Sequence, residues 1–398
     1  MVAATLRTPF SKHLSNAVAK SLAICGYFRQ HQTRGGWASF FQNFLRGIHE
    51  AVEQDDRYRD LQVTLFHNPE CVPYRCDRFA YRPQISRWGK FGADARFGLL
   101  ASREFDAAFF PSYFRPPVVR SRRSVVVLHD LLNKNFPELM SRPQRVWLNM
   151  AQQYALRRCD AMITISAVVK QDVMRYFGER FGPKIHPIWI PMAFERLDGE
   201  LAPTITGGRP YLLGVALDRP HKNLGTLVRA FAKLRERRPD LCLVLVGELR
   251  SRHPKANLAA EVTEKMPAVG DVVRELGLEE HVKITGFVSD AELGALYRGA
   301  AAFILPSLHE GFGMPAIESL GMGVPTLVSD IPVFREVTVG VATYLPQPRD
   351  VDSVCEKIDQ VISGGAAARP TPETVAKIRG LFAPATIARQ YLEILLGD

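Results

Sequence analysis

Twice along this chain, short apolar runs alternate with amphipathic stretches, and a polar, Gly/Pro-rich segment at residues 195–210 separates the two cycles. A run of period two followed by one of period 3.6 reads as strand then helix, and strands joined by helices pair in parallel. In the first cycle the strand-like runs are residues 21–28, 61–66, 105–110, 124–128 and 161–165, with helical patterns at 37–52 and 146–157. The helix at 37–52 is marked by Phe40, Phe41, Phe44, Leu45 and Ile48, which fall on one face. In the second cycle strand-like runs at 211–215, 242–246, 282–285, 302–305 and 325–328 alternate with helical runs at 224–235, 272–276, 291–298, 315–322 and 351–362, and a last helix is expected at 384–396. A chain of 398 residues is too long for one ordinary core and suits two domains of about 150–200 residues. The expected fold class is α/β: two doubly wound, Rossmann-like domains, residues 1–198 and 199–380, face a central cleft, and residues 381–398 cross back to the first domain.

Composition narrows the function classes. Apolar residues make up 46% and charged residues 23%, ordinary for a globular protein. No apolar run is long enough to span a bilayer. Arg7, Lys12 and Lys20 are spread through the first twenty residues without the apolar block of a secretory signal. Cys25, Cys71, Cys76, Cys159, Cys242 and Cys355 are too scattered for a disulfide scaffold, and Cys71 and Cys76 lack a second pair at zinc-site spacing, so reduced thiols in a cytoplasmic protein are expected. The charge is one-sided. Residues 1–200 carry 29 Lys and Arg against 18 Asp and Glu, whereas the remainder carries 22 against 23. A basic half favours an anionic partner such as a membrane surface or a lipid-linked phosphate. No nucleic-acid-binding signature accompanies it.

The segment richest in chemistry is Glu310-Gly-Phe-Gly-Met-Pro-Ala-Ile-Glu318, directly after the strand-like run at 302–305. Gly311 and Gly313 allow a tight turn and the close approach of a ligand. Pro315 suits a first helical turn, where a missing N–H costs nothing. A helix therefore starts here, and its free N–H groups favour phosphate or sugar oxygens. Glu310 sits before that helix and Glu318 about one turn inside it, so both can face one extended ligand.

This segment resembles the E-x7-E motif of family-4 glycosyltransferases, which are retaining enzymes of GT-B fold, and the downstream Gly321-Met-Gly-Val-Pro325 is similar to the same family. The resemblance implies that Glu310 binds donor-sugar hydroxyls, that Glu318 binds the ribose, and that backbone N–H groups of Phe312, Gly313 and Met314 meet the sugar. Gly214-Val-Ala-Leu-Asp-Arg-Pro-His-Lys-Asn223 resembles the family's loop ending in Lys-Asn. Lys222 would there neutralise the donor diphosphate and stabilise charge developing on the leaving phosphate. The family's nearest subgroup carries Arg before this Lys; here His221 stands in that place, which leaves Arg219 or His221 for the second diphosphate contact, Arg219 being favoured. Val244-Leu-Val-Gly247 and Thr285-Gly-Phe-Val288 end strands, and by resemblance Gly247 lines the nucleotide pocket while backbone near Val288 reads the base edge.

In the first half, Val125-Val-Val-Leu-His-Asp-Leu131 places His129 and Asp130 at the C-terminal end of a strand, where open sheets bind ligands. It resembles the His-Asp-Leu motif of mannosyltransferase-like members, in which the His reaches the donor sugar across the cleft. Gly35 and Gly36 resemble the family's first Gly-rich loop, near sugar and acceptor, and Ile163-Thr-Ile-Ser166 also matches the family pattern. Asp350-Val-Asp352 has the D-x-D form of a metal site but opens an expected helix, so capping is its expected role.

The resemblance thus implies a metal-independent hexosyltransferase with no cofactor. Its nucleotide diphosphate-sugar is a substrate, with GDP-mannose favoured, and its acceptor is a glycan or lipid-linked molecule of cell-surface polysaccharide or lipopolysaccharide synthesis. Cytoplasmic location with peripheral contact at the inner membrane face fits the basic half. The alternatives are a GT-B-fold sugar-nucleotide epimerase or hydrolase, and a non-catalytic sugar-nucleotide-binding scaffold.

Overall fold

A computed structural model describes residues 21–26, 35–84, 89–116, 119, 121–199, 205–249 and 267–397. Arg7, Lys12, Lys20, residues 27–28 of the first expected strand and residues 200–204 of the expected linker lie outside the described residues.

Seven parallel strands form the first sheet. They are β1 (Ser21–Gly26), β2 (Gln62–His67), β3 (Phe79–Pro83), β4 (Ala107–Phe110), β5 (Arg123–Leu128), β6 (Ala161–Thr164) and β7 (Ile185–Pro187), in the order β3-β2-β1-β4-β5-β6-β7. The second sheet has six, β8 (Tyr211–Val215), β9 (Cys242–Val246), β10 (Val282–Gly286), β11 (Ala302–Leu305), β12 (Thr326–Ser329) and β13 (Thr343–Leu345), in the order β10-β9-β8-β11-β12-β13. Helices cover the sheets. Those of the first lobe are α1 (Gly36–Gln54), α2 (Gly89–Glu104), α3 (Leu132–Asn135), α4 (Arg142–Arg158) and α5 (Ala167–Phe177). Those of the second are α6 (Leu224–Arg237), α7 (Val269–Glu275), α8 (Asp290–Gly299), α9 (Met314–Gly321), α10 (Pro332–Val337), α11 (Val351–Ser363) and α12 (Pro372–Leu381). The final helix, α13 (Pro384–Leu396), lies on the first lobe: Tyr391 packs 5.2 Å from the Phe44 ring of α1, and Arg123 Nε donates to the Ile394 carbonyl at 2.6 Å.

The central strands are buried along their length, which is why they read as continuous apolar runs. The strands that sequence periodicity does not mark are β3, β7 and β13, all at sheet edges. An edge strand is covered on fewer sides, so its residues need no apolar pattern; β3 is largely exposed and ends in Pro83. Asp350 accepts from Ser353 N at 2.8 Å as the cap of α11, and Asp352 pairs with Lys233 at 2.5 Å. All six cysteines are free thiols.

Each sheet reverses its strand order once, between β1 and β4 in the first lobe and between β8 and β11 in the second. At such a reversal the loops leaving the two strands diverge to opposite faces and leave a crevice. The loops after β8 and β11 carry Lys222 and Glu310, and the Gly35–Gly36 turn leads into the helix that follows β1.

Candidate functional site

The two loops at the second-lobe reversal are stitched into one unit. After β8 the backbone makes a single helical turn at Pro220–Lys222 and enters the left-handed region at Asn223 (φ 56°), a conformation Asn tolerates better than most residues. The Asn223 side chain holds that turn by donating to the Pro306 carbonyl at 3.1 Å and the Pro348 carbonyl at 2.6 Å. Leu308 N donates to the His221 carbonyl at 2.7 Å. The turn thereby aims Lys222 Nζ at Glu310 Oε1, 2.6 Å away, and Ser307 Oγ donates to the same oxygen at 2.8 Å. Glu310 is buried; desolvation opposes its charge, but the Lys222 ammonium and the Ser307 hydroxyl outweigh that cost and hold its carboxyl below the usual range.

Behind this pair the chain turns at Gly313 (φ 90°), where a Cβ would run into the Phe334 ring, and α9 begins at Met314, with Pro315 inside the first turn. No side chain caps α9; Pro315 has no N–H and Ala316 N donates to the Gly313 carbonyl at 3.0 Å, so the amides just before Pro315 are the ones placed to bind anionic or polar ligand atoms. Phe312 is buried against Phe382, with ring centroids 6.0 Å apart. Glu318 lies one turn into α9, also buried, with both oxygens engaged: Oε1 pairs with Arg196, and Oε2 accepts from the Tyr297 hydroxyl at 2.9 Å. Burial and the neighbouring carboxylate hold the Tyr297 phenol well above its ordinary pKa, so it remains a donor.

The first lobe closes over this unit. Gly311 lies so close to the His129 carbonyl that there is no room for a Cβ. Ser166 Oγ, at the N-terminus of α5, donates to the Gly311 carbonyl at 2.9 Å. Gly35 (φ 90°) precedes α1, and a Cβ on Gly36 would lie 3.8 Å from Met314 Sδ. Gly36, His129 and Glu310-Gly311 therefore meet at one place. The His129 ring stands edge-on to Phe40 at 4.8 Å, and its Nε2 bonds the Pro111 carbonyl at 3.0 Å. A carbonyl only accepts, so Nε2 carries a proton; desolvation lowers the imidazole pKa, which leaves a neutral ring with Nδ1 as an acceptor. Asp130 is exposed and accepts from Leu132 N at 3.2 Å.

Three of the expected donor contacts lie apart from the pair. Gly247 (φ 132°) and Val288 flank β9 and β10; Gly247 N donates to the Gly286 carbonyl at 2.9 Å, and a Cβ on Gly247 would strike the Ala216 carbonyl. Arg219 is exposed and lines a separate groove, whose walls do not include Lys222. His221 is buried at the pair's back, its Nδ1 without a partner, and desolvation with the nearby Lys222 charge pushes its pKa down to about 3.

Several positioning residues carry no local signal in the sequence. Arg196, in the connection between the lobes, reaches Glu318 and also Asp290 at 2.5 Å. Glu336 of α10 accepts from Ala167 N at 2.8 Å, from Val168 N at 3.2 Å and from Trp189 Nε1 at 2.9 Å, so a second-lobe carboxylate caps a first-lobe helix. Only Ser307, three residues before Glu310, was within reach of a local reading.

Residues 202–376 match the family of glycosyl transferases group 1. Over 262 residues the chain is 28% identical to the serotype-specific mannosyltransferase WbdA of Escherichia coli, covering 61% of this chain and 30% of that protein. Over 227 residues it is 26% identical to the O-antigen chain mannosyltransferase RfbU of Salmonella typhimurium strain LT2, covering 56% of this chain and 57% of the relative. The chain thus spans less than two thirds of the length of either curated relative. Among solved structures, sucrose-phosphate synthase from Thermosynechococcus elongatus superposes with a TM-score of 0.67 at 18% identity, over 94% of this chain and 97% of that one. The fold is GT-B, and the sequence is family-4-like and mannosyltransferase-like.

Proposed function

We propose that the protein is a retaining glycosyltransferase that moves a sugar from a nucleotide diphosphate-sugar, GDP-mannose being favoured, to a glycan or lipid-linked acceptor in cell-surface polysaccharide or lipopolysaccharide synthesis. The observation that carries the reading is the part-buried Lys222–Glu310 pair at the β8/β11 reversal, lying in front of an uncapped helix and beneath His129 of the other lobe. The similarity to mannosyltransferases of O-antigen synthesis supports the sugar and the process.

In this reading the base lies near Val288 and Gly247, Glu318 takes the ribose hydroxyls, and the diphosphate lies against Lys222 and the N-terminus of α9. A carboxylate offers about four lone-pair positions, so Glu318 can accept from a ribose while Arg196 and Tyr297 fix its orientation. Glu310 binds sugar hydroxyls, and its bond to Lys222 keeps the carboxylate charged. As the sugar–phosphate bond breaks, negative charge grows on the phosphate oxygen; Lys222 and the helix N–H groups stabilise it there more than in the ground state. The acceptor hydroxyl attacks from the face the diphosphate leaves, and the leaving phosphate takes its proton, so no side-chain base and no metal is required. His129 and the Gly35–Gly36 turn hold the sugar from above and exclude water. The basic first half supports peripheral contact with the anionic inner face of the membrane; no helix of the described residues is long and apolar enough to cross one.

A thermal-shift screen of GDP-, UDP- and dTDP-sugars identifies the donor, because a ligand that binds only the native state raises the melting temperature. Glu310→Ala and Lys222→Ala are expected to abolish transfer while the protein stays folded. Retained transfer in either variant refutes the site. Donor turnover without any acceptor would instead indicate an epimerase or hydrolase, and donor binding without turnover a scaffold.

A further inference from the structure

Outside the proposed catalytic pocket, a groove of about 600 Å³ lies between the 136–139 segment of the first lobe and the start of α6. Arg219, Arg229 and Arg349 line it. Elsewhere in the second lobe several arginines are matched with carboxylates, such as Arg238 with Asp359, Arg335 with Asp330 and Arg379 with Asp198. Among the described residues, none of the three groove arginines makes a side-chain hydrogen bond or ion pair. Arg229 folds back over the first turn of its own helix, since a Cβ on Gly225 would lie 3.1 Å from its Nη1. That turn has no side-chain cap: the Asn223 carboxamide is used on the Pro306 and Pro348 carbonyls and on Thr226 Oγ1. The nearby acids do not cancel the charge. Asp218 is turned onto Val269 N at 3.1 Å, and Glu138 is exposed on the opposite wall. Phe136, Leu139 and Leu308 supply apolar walls.

Uncompensated guanidinium groups around a concavity repel one another, and a phosphate with three acceptor oxygens relieves this with charge-assisted, fork-shaped bonds. The groove adjoins the catalytic pocket: Phe136 packs 6.0 Å from the His221 ring, and Leu308 N is bonded to the His221 carbonyl. We propose that this groove binds the phosphate or diphosphate group of the acceptor, separately from the donor diphosphate. The inference rests on the transferase reading for the word acceptor and on the groove alone for the anion.

The test measures binding of inorganic pyrophosphate and of farnesyl diphosphate by calorimetry, with GDP at saturation to fill the donor pocket. The variant is Arg229→Gln/Arg349→Gln, with its melting temperature as a folding control. Both probes are expected to lose about tenfold or more in affinity, that is about 1.4 kcal/mol or more, while GDP affinity is unchanged. Unchanged probe affinity overturns the site, and a parallel loss of GDP affinity overturns its separation from the donor. Tighter binding of farnesyl diphosphate than of pyrophosphate upholds a lipid-linked acceptor; equal binding upholds a soluble phosphorylated one. Loss of transfer in Glu310→Gln with pyrophosphate binding intact distinguishes the groove from the catalytic reading. If no donor is turned over at all, pyrophosphate binding still reports on the groove.

Discussion

Gly311→Ala tests how tightly the two lobes must fit. The added Cβ would point at the His129 backbone carbonyl, well inside the 3.0 Å that Cβ atoms essentially never breach, and would also come 3.2 Å from the Asp130 Cβ. Both obstacles lie in the other lobe and one is backbone, so no rotamer change removes the clash. The lobes must part by about 1 Å to restore an ordinary contact. Overpacking of this kind costs about 1–3 kcal/mol, and the Ser166–Gly311 bond of 2.9 Å is strained with it. Lys222, Glu310 and Glu318 all sit in the second lobe, so donor affinity should be nearly unchanged. His129 and the Gly35–Gly36 turn, by contrast, would recede from the sugar. A displacement of about 1 Å can lower the rate by roughly a hundredfold. The expected pattern is a loss of that order in kcat with the dissociation constant of GDP, measured by calorimetry, within a factor of two or so. A variant with wild-type kcat would show that closure of the first lobe onto Gly311 plays no part in the reaction. Weakened GDP binding with kcat intact would refute the division of labour between the lobes.

Two further outcomes follow from the buried charges. Lys222→Met leaves the Glu310 carboxylate buried without its cation, a loss of about 3–5 kcal/mol, whereas Lys222→Met/Glu310→Gln should recover most of it; equal melting temperatures for the single and double variants would refute the coupling. His221 is held neutral with its pKa down from 6.5 to about 3, so the unfolded chain takes up a proton that the folded one refuses. This costs nothing above about pH 6.5 and destabilises the fold increasingly as pH falls toward 3, by about 2 kcal/mol between pH 7 and pH 5. His221→Asn should flatten the fall in urea midpoint over that interval, and parallel curves for variant and wild type would sink the assignment.

The sequence carried the parts of the fold that are built from local periodicity. β8, β9 and β11 run where alternation and apolar content put them, because central strands are buried on both faces. The E-x7-E segment was legible for a similar reason: glycines, a proline and carboxylates within nine residues encode their own turn. What could not be read was pairing across distance. Arg196 lies 122 residues from Glu318, and Glu336 lies 169 residues from Ala167, the backbone it caps. Neither residue differs locally from a solvated charge, and only the packing of two lobes gives it a partner. Arg219 marks the same boundary: it lies three residues before Lys222 in sequence, yet Lys222 turns onto Glu310 while Arg219 lines the groove beside α6.

The chain passes between the lobes twice, the first passage including residues 188–199 and the second lying just before α13, and the two passages touch: Met192 N donates to the Phe382 carbonyl at 2.8 Å, and Trp189 stacks on Phe382 at 5.0 Å. Two strands of polypeptide fastened side by side behave like the two leaves of a door hinge. Sliding or twisting of one lobe on the other would shear that stack, whereas swinging about the line through it leaves both passages intact. A swing about that line would keep the Met192–Phe382 bond and the Trp189–Phe382 stack while parting Ser166 from Gly311 on the other side.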